Sequence, residues 1–492
     1  MKQYNIGLDF GTYQSKACVY NLRSGEHEFF TFPNGTFFLP SKVFLRDDGK
    51  LEYGNTKSGK IKEVYSYFKI ASAEDKEFHV ETYDQNYLDS NFYQFNEFRN
   101  YTPEFLSAVY LTYVLFLVKE KYQLRQQVRA GFNKLLSKLQ RQDNLKEIRF
   151  TIRLGIPTEW SQQKNQERQR KFESILILSE LLQKKYKEVS SFLNVSAEQL
   201  VLDVRNIQKE ELKFTNKKKF FDKLNDLGIS LCPETAAGLT FIIKTRQLQP
   251  GYYAAMDIGG GSTDVSFFII TQDQKIRYFA SESYLIAANN VYMQLAVNAK
   301  TLRGLQDSEI EVRRMVSNPN NGRNDLKMTL NKINGELERV ISKLFVQRVH
   351  YAGIIPNYKD QPIIVYGGGS LLPVLGEGRL KIFDNGVRTN RNGIVDENIR
   401  SYWTFLNKTG LKRFSSILNI LPSNKTWEKD LSLLSVALGL SFIHSPGDAD
   451  WFSDESYRST NAKSNDMNDP NLTPHPFNEG YFIYNVLARR FD

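Results

Sequence analysis

Two aspartates in this sequence each close an apolar run and stand directly before a glycine-bearing turn. Asp9 ends Tyr4-Asn5-Ile6-Gly7-Leu8 and opens Phe10-Gly11-Thr12-Tyr13-Gln14. Asp257 ends Tyr253-Ala254-Ala255-Met256 and opens Ile258-Gly259-Gly260-Gly261-Ser262-Thr263. Glycine turns bring backbone N–H donors close to phosphate oxygens because no side chain obstructs the approach. Mg²⁺ keeps most of its waters, so a few carboxylates behind those waters suffice to hold it. Alone, each aspartate-and-glycine turn reads as a plain β-turn; the same layout twice in one chain points to a phosphate site. A third glycine turn, Gly367-Gly368-Gly369-Ser370, follows the apolar run Ile363-Ile364-Val365-Tyr366, where glycine lets backbone lie flat beside a base or ribose. No Gly-x4-Gly-Lys-Ser/Thr loop occurs and no Gly-x-Gly-x-x-Gly opens a helix after a strand, which disfavours the other common nucleotide folds.

The elements around these residues repeat as well. Residues 4–20 read as strand, tight turn, strand, and residues 253–268 as a second unit of the same kind. That echo suggests two lobes of similar construction. Leu39–Leu45 and Lys50–Tyr53 are expected to pair about Asp48-Gly49. Thr102-Pro103-Glu104 is a helix start, with an N-cap hydroxyl, proline at the first position and an acid at the positive dipole end. Apolar residues from Phe105 to Leu117 follow at helical spacing, and an amphipathic, basic stretch (Arg125, Arg129, Lys134, Lys138, Arg141) continues beyond. Residues 149–157 return to a strand ending in Gly155-Ile156-Pro157. Asn318–Asn324 reads as a loop. From Ser445 the chain is polar and broken by proline until the short apolar run Tyr481–Leu487.

The chain has 492 residues, 41% hydrophobic and 24% charged, which is long for one core and ordinary for a globular protein. Its formal net charge of +10 raises nucleic acid as a partner, but no nucleic-acid motif accompanies it. The basic stretch at 119–149 reads as a solvated face or a partner surface. Two cysteines, Cys18 and Cys232, exclude a disulfide framework, and five scattered histidines give no zinc spacing. The longest apolar stretch, Val109–Val118, is short for a bilayer, and the opening residues run straight into a strand-like segment. A cytoplasmic protein that does not enter a membrane is the expectation.

Ile6-Gly7-Leu8-Asp9-Phe10-Gly11-Thr12 resembles the first phosphate motif of the heat shock protein 70 family. Asp257 to Ser266 resembles its second, and Val365-Tyr366-Gly367-Gly368-Gly369-Ser370-Leu371-Leu372-Pro373 its adenosine motif. Ser435-Val436-Ala437-Leu438-Gly439-Leu440 is similar to the helix that closes that domain. The resemblance spans residues 1–445 in the family's order and implies an α/β, two-lobed actin-like ATPase fold, each lobe a mixed sheet of the ribonuclease H-like type flanked by helices. Lobe I would be residues 1–250 and lobe II residues 251–445, with the closing helix near 430–445 and a polar tail over 446–492. It implies ATP or ADP with Mg²⁺ as ligands. Asp9 and Asp257 would hold the hydrated metal. Gly11, Thr12 and Tyr13 would line one side of the phosphates, and Gly259, Gly260, Gly261 and Ser262 the other. Gly367, Gly368 and Gly369 would border the adenosine. Lys69 sits where the family's catalytic lysine falls, Glu234 would place the attacking water, and Asp264 would be a second acid near the metal.

Three departures bear on function. The order Pro233-Glu234-Thr235 departs from the Glu-Pro usual in the chaperones and is similar to that of segregating actin homologues and of the family's divergent members. Leu371 replaces an arginine that stacks on adenine. About 47 residues follow the closing helix (492 minus 445), too few for a substrate-binding β-sandwich. The expected function is a slowly hydrolysing, chaperone-like nucleotide switch acting on a protein partner. The alternatives are an actin-like polymerising protein forming oligomers or filaments, a small-molecule kinase of the same superfamily, and a non-hydrolysing pseudoenzyme scaffold.

Overall fold

The computed structural model describes residues 2–55, 60–73, 78–84, 87–93, 101–137, 148–161, 165–212, 217–244, 250–273, 275–284, 287–288, 363–371, 399–401, 427–442 and 449–451. The chain is mixed α/β. Its first strands are β1 (Lys2–Phe10), β2 (Gln14–Asn21) and β3 (Glu26–Phe29), followed by the short β4 (Leu39–Pro40). A small sheet comes next: β5 (Val43–Arg46), β6 (Leu51–Tyr53), β7 (Ile61–Ser66), then helix α1 (Phe68–Ala73), then β8 (Phe78–Asp84) and β9 (Tyr87–Tyr93). Helix α2 (Pro103–Ser137) leads to β10 (Ile148–Ile156) and a 3-10 turn at Thr158–Ser161. Helices α3 (Gln166–Tyr186), α4 (Val189–Leu193), α5 (Ala197–Glu211) and α6 (Lys217–Leu227) precede β11 (Ile229–Pro233), which runs directly into α7 (Glu234–Lys244). The second sheet is built from β12 (Gly251–Ile258), β13 (Thr263–Ile270), β14 (Ile276–Tyr284), β15 (Ile363–Tyr366) and β16 (Ile399–Ser401). Helix α8 (Trp427–Phe442) and strand β17 (Ala449–Trp451) follow.

The two larger sheets share one plan. In the first, β1, β2 and β3 form an antiparallel meander, and β10 then β11 add in parallel on the β1 side. In the second, β12, β13 and β14 form the meander, and β15 then β16 add in parallel on the β12 side. β17 adds a parallel edge to β14, in a region expected to be irregular tail. The loop expected at Asn318–Asn324 and the apolar run Tyr481–Leu487 lie outside the described residues.

The expected strand Leu39–Leu45 divides instead of forming one element. Leu39-Pro40 pairs with β2, whereas Val43–Arg46 pairs with β6 and β7 in the five-stranded sheet. Between them the Ser41 N–H donates to Tyr13 O at 2.9 Å and its hydroxyl to Gly11 O at 2.7 Å. Pro40 has no ladder donor to lose there, so the chain changes sheets at that point. The expected helix start is present: Thr102 Oγ1 accepts from the Phe105 N–H at 3.2 Å, and α2 runs unbroken into the basic stretch.

Strand alternation then decides where the polar residues point. On β1, Tyr4, Ile6, Leu8 and Phe10 enter the core with α2 and α3. Each such burial contributes about 1.5–3 kcal/mol. Gly7 and Asp9 therefore face the opposite way, where α8 lies so close that a Cβ on Gly7 would sit 2.8 Å from the Leu440 carbonyl carbon. On β12, Tyr253 and Ala255 enter a second core with α7 and α8, and Asp257 continues that face. Helices α7 and α8 lie between the sheets and cross at Gly439, where a Cβ would stand 2.8 Å from Ala237 Cα. Both aspartates thus project from different sheets into the seam beside these helices.

Candidate functional site

The first turn is short and braced from behind. Asp9 and Lys16 are directly opposed in the β1–β2 register, and the Lys16 ammonium donates to Asp9 Oδ2 at 2.8 Å. Gly11 and Tyr13 are held through their carbonyls by Ser41, and Ser41 Oγ lies 3.2 Å from Ser15 Oγ. In the second turn the Gly259 N–H donates to Ser262 O at 2.9 Å, which folds Gly260 and Gly261 outward from the hairpin tip. The two turns face each other. A Cβ on Gly261 would lie 2.6 Å from Thr12 Cγ2 and 3.2 Å from Ile70 Cδ1. Only hydrogen at position 261 permits this approach.

The third turn supports the second. Gly367 has φ +85°, the left-handed region that favours glycine, and a side chain there would collide with Asp257 Oδ1 and the Ile258 carbonyl. A Cβ on Gly369 would reach within 2.9 Å of Ile258 O and 3.0 Å of Gly259 O, while Gly368 is exposed. The three expected glycine turns therefore come together, the first through the Thr12 side chain and the third through backbone contact.

Behind the turns lies a group of buried charges. Lys69, on α1, donates to Glu234 Oε1, the first residue of α7, at 2.8 Å, with side-chain exposures of 5% and 8%. Burial works against the charge on Lys69, but Glu234, Asp9 and Asp264 outweigh it and raise its pKa. Burial raises the Glu234 pKa, with the pull of Lys69 opposing and Asp9 reinforcing the rise. Asp257 is held well above the usual carboxylate range by burial and by the charges of Glu234, Asp264 and Asp9. Burial and Glu234 push Asp264 up to about 7, although Ser283 donates its hydroxyl to it. Four carboxylates (Asp9, Asp257, Asp264, Glu234) thus share the space with two ammonium groups, Lys16 and Lys69. Burial first, and then that surplus of negative charge, raises Asp257 and Asp264. Among the described residues no group of three or more His, Cys, Asp or Glu is arranged to hold a metal ion directly.

Of the residues expected at the site, Asp9, Lys69, Glu234, Asp257 and Asp264 share the group of buried charges, and Thr12 and Gly261 meet beside them. Sequence reading missed Lys16, Glu159, Ser283 and Thr235. Lys16 was within reach, since a hairpin centred on Gly11-Thr12 places it opposite Asp9. Glu159, Thr235 and Ser283 carry no signal of their own. They matter because the 3-10 turn after β10 meets α7 and β14, a fact of tertiary structure.

No protein-family model matches this chain, and no curated protein matches it. No described helix is long and apolar enough to cross a membrane.

Proposed function

We propose that this chain is a nucleotide switch of the heat shock protein 70 and actin-like ATPase superfamily, binding Mg-ATP between its two large sheets and hydrolysing it slowly. The observation that carries the reading is the apposition of Thr12 and Gly261, which brings the glycine turns of the two large sheets together at one seam. The repeated sheet plan supports a two-lobed fold of ribonuclease H-like halves. The raised Asp257 and Asp264 support a site completed by cations, because a divalent ion offsets the burial and the carboxylate repulsion that disfavour their charged forms. With no direct protein cage among the described residues, the fit is to an ion held through water by Asp9 and Asp257.

In this reading the backbone N–H groups of the two turns bind the phosphate oxygens, and Lys16 and Lys69 add positive charge on the Asp9 side. Asp9 and Asp257 would hold Mg²⁺ through its waters, where the ion would draw charge off the phosphates. Glu234 orients a water oxygen in line with the γ-phosphorus and takes the proton it sheds. A phosphorus–oxygen bond to water forms as the bond to the bridging oxygen breaks, leaving ADP and phosphate. The protein's contribution is positioning and preorganised charge. Loss of the γ-phosphate removes the group contacted from both turns, so the seam loosens and a protein partner reads the change.

Calorimetric titration with Mg-ATP and Mg-ADP tests this directly. Binding in the wild type, lost in Asp9→Ala and Asp257→Ala, is the expected result. No binding in the wild type overturns the nucleotide reading and leaves a scaffold.

A further inference from the structure

The 3-10 turn after β10 grips the second sheet through two adjacent side chains. Thr158 Oγ1 accepts from the Thr235 N–H at 3.0 Å and donates to Thr235 Oγ1 at 2.8 Å. The Thr235 hydroxyl hydrogen is then directed to Ser266 Oγ at 3.0 Å, which in turn lies 2.9 Å from Ser281 Oγ. Next to this buried chain, Glu159 Oε2 accepts from the Ser283 backbone N–H at 2.8 Å across 124 residues of sequence. Among the described residues β17 pairs with β14 at Ile276–Tyr278, and at Ser283 the carboxylate of Glu159 takes up the backbone donor instead. Ser283 stands opposite Asp264 in the β13–β14 register and donates its hydroxyl to that carboxylate. One residue therefore links Glu159 on the first sheet's side to Asp264 on the second's.

The turn is built to hold this position. Trp160 is buried against Phe172, Asn165 Nδ2 donates to Glu159 O at 2.8 Å, and Gln169 Nε2 donates to Trp160 O at 2.7 Å. A buried core needs only apolar filling at such a place. Directional bonds to a charged acceptor instead fix one register between the parts. We propose that Glu159 is a positioning residue of the site: acting through Ser283, it holds Asp264 in place and locks the β13–β14 hairpin against the turn that follows β10. The proposal rests on the nucleotide reading above. Glu159 itself touches none of the glycine turns; its effect reaches the chemistry through Asp264.

Two measurements on the full chain test it with Glu159→Ala, Glu159→Gln and Ser283→Ala. The glutamine keeps an oxygen that accepts from the Ser283 N–H, whereas alanine does not. Without nucleotide, amide exchange over Thr263–Tyr284 should rise about tenfold in Glu159→Ala and stay near wild type in Glu159→Gln. With saturating Mg-ATP, single-turnover hydrolysis should fall about tenfold or more in Glu159→Ala and Ser283→Ala while nucleotide affinity stays within about threefold. Glu159→Gln should retain most of the wild-type rate. Unchanged exchange in Glu159→Ala, or equal losses of affinity and rate, overturns the proposal. A silent wild type is a different failure: it removes the nucleotide reading and the positioning role with it.

Discussion

Lys69 and Glu234 meet at 2.8 Å from segments 165 residues apart, and both side chains are almost wholly removed from solvent. Neither charge is tolerable there without the other, because an isolated ion in such a place loses several kcal/mol of hydration. The pair ties α1 to the first turn of α7 and points a carboxylate and an ammonium at the same small volume as Asp9 and Asp264.

Removing one partner should therefore cost more than removing both. Lys69→Met alone is expected to destabilise the chain by about 3–5 kcal/mol, and Lys69→Met with Glu234→Gln by clearly less. Denaturant titration of Lys69→Met, Glu234→Gln and the double variant measures it. Additive losses would show that the two groups are not coupled.

The pH dependence of stability has a definite sign. The Asp264 pKa rises in the folded chain from 3.8 to about 7. The folded state then holds more protons than the unfolded one between these values. The stability it contributes is fully present below about pH 4 and is lost as pH rises through about 7. Asp257 shifts in the same direction. Without nucleotide or divalent cations, the unfolding midpoint should fall from about pH 5 to about pH 8, and Asp264→Asn should flatten that slope. A midpoint rising over this range in the wild type contradicts the arrangement.

The apposition of the two turns is testable by compensation. Gly261→Ala places a methyl 2.6 Å from Thr12 Cγ2, so nucleotide affinity should drop by about tenfold or more. Thr12→Ser deletes that methyl and should restore part of the loss in the double variant. A double-mutant cycle on Mg-ADP binding reads the coupling, and strict additivity would place the turns apart.

Thiol chemistry reports on the seam. Cys18 is fully buried on β2, and burial pushes its thiol up to about 12, so no thiolate is present at neutral pH. Cys232 is buried on β11. Neither should react with an alkylating reagent in the native chain, and both should react in denaturant. Fast native labelling of Cys18 would mean that β2 and α8 separate readily.

Much of this was legible in the sequence. The two hairpins, the helix start at Thr102 and the glycine turns follow from local rules: alternation, capping and the backbone freedom of glycine. These act within a few residues, so a linear reading captures them. Period-two alternation places Gly7 and Asp9 on one face, although nothing local says what that face meets. Only the tertiary structure decided that α8 lies there, that Pro40 ends one pairing while Val43 begins another, and that Ser281 and Ser283 share a face with Tyr278. The last depends on a β-bulge, a register shift at Phe267/Phe268 that resets strand parity. Lys69 and Glu234, or Glu159 and Ser283, become partners because elements distant in sequence pack together. Their bonds repay the burial of charge that this packing imposes, and no pattern along the chain encodes which donor meets which acceptor.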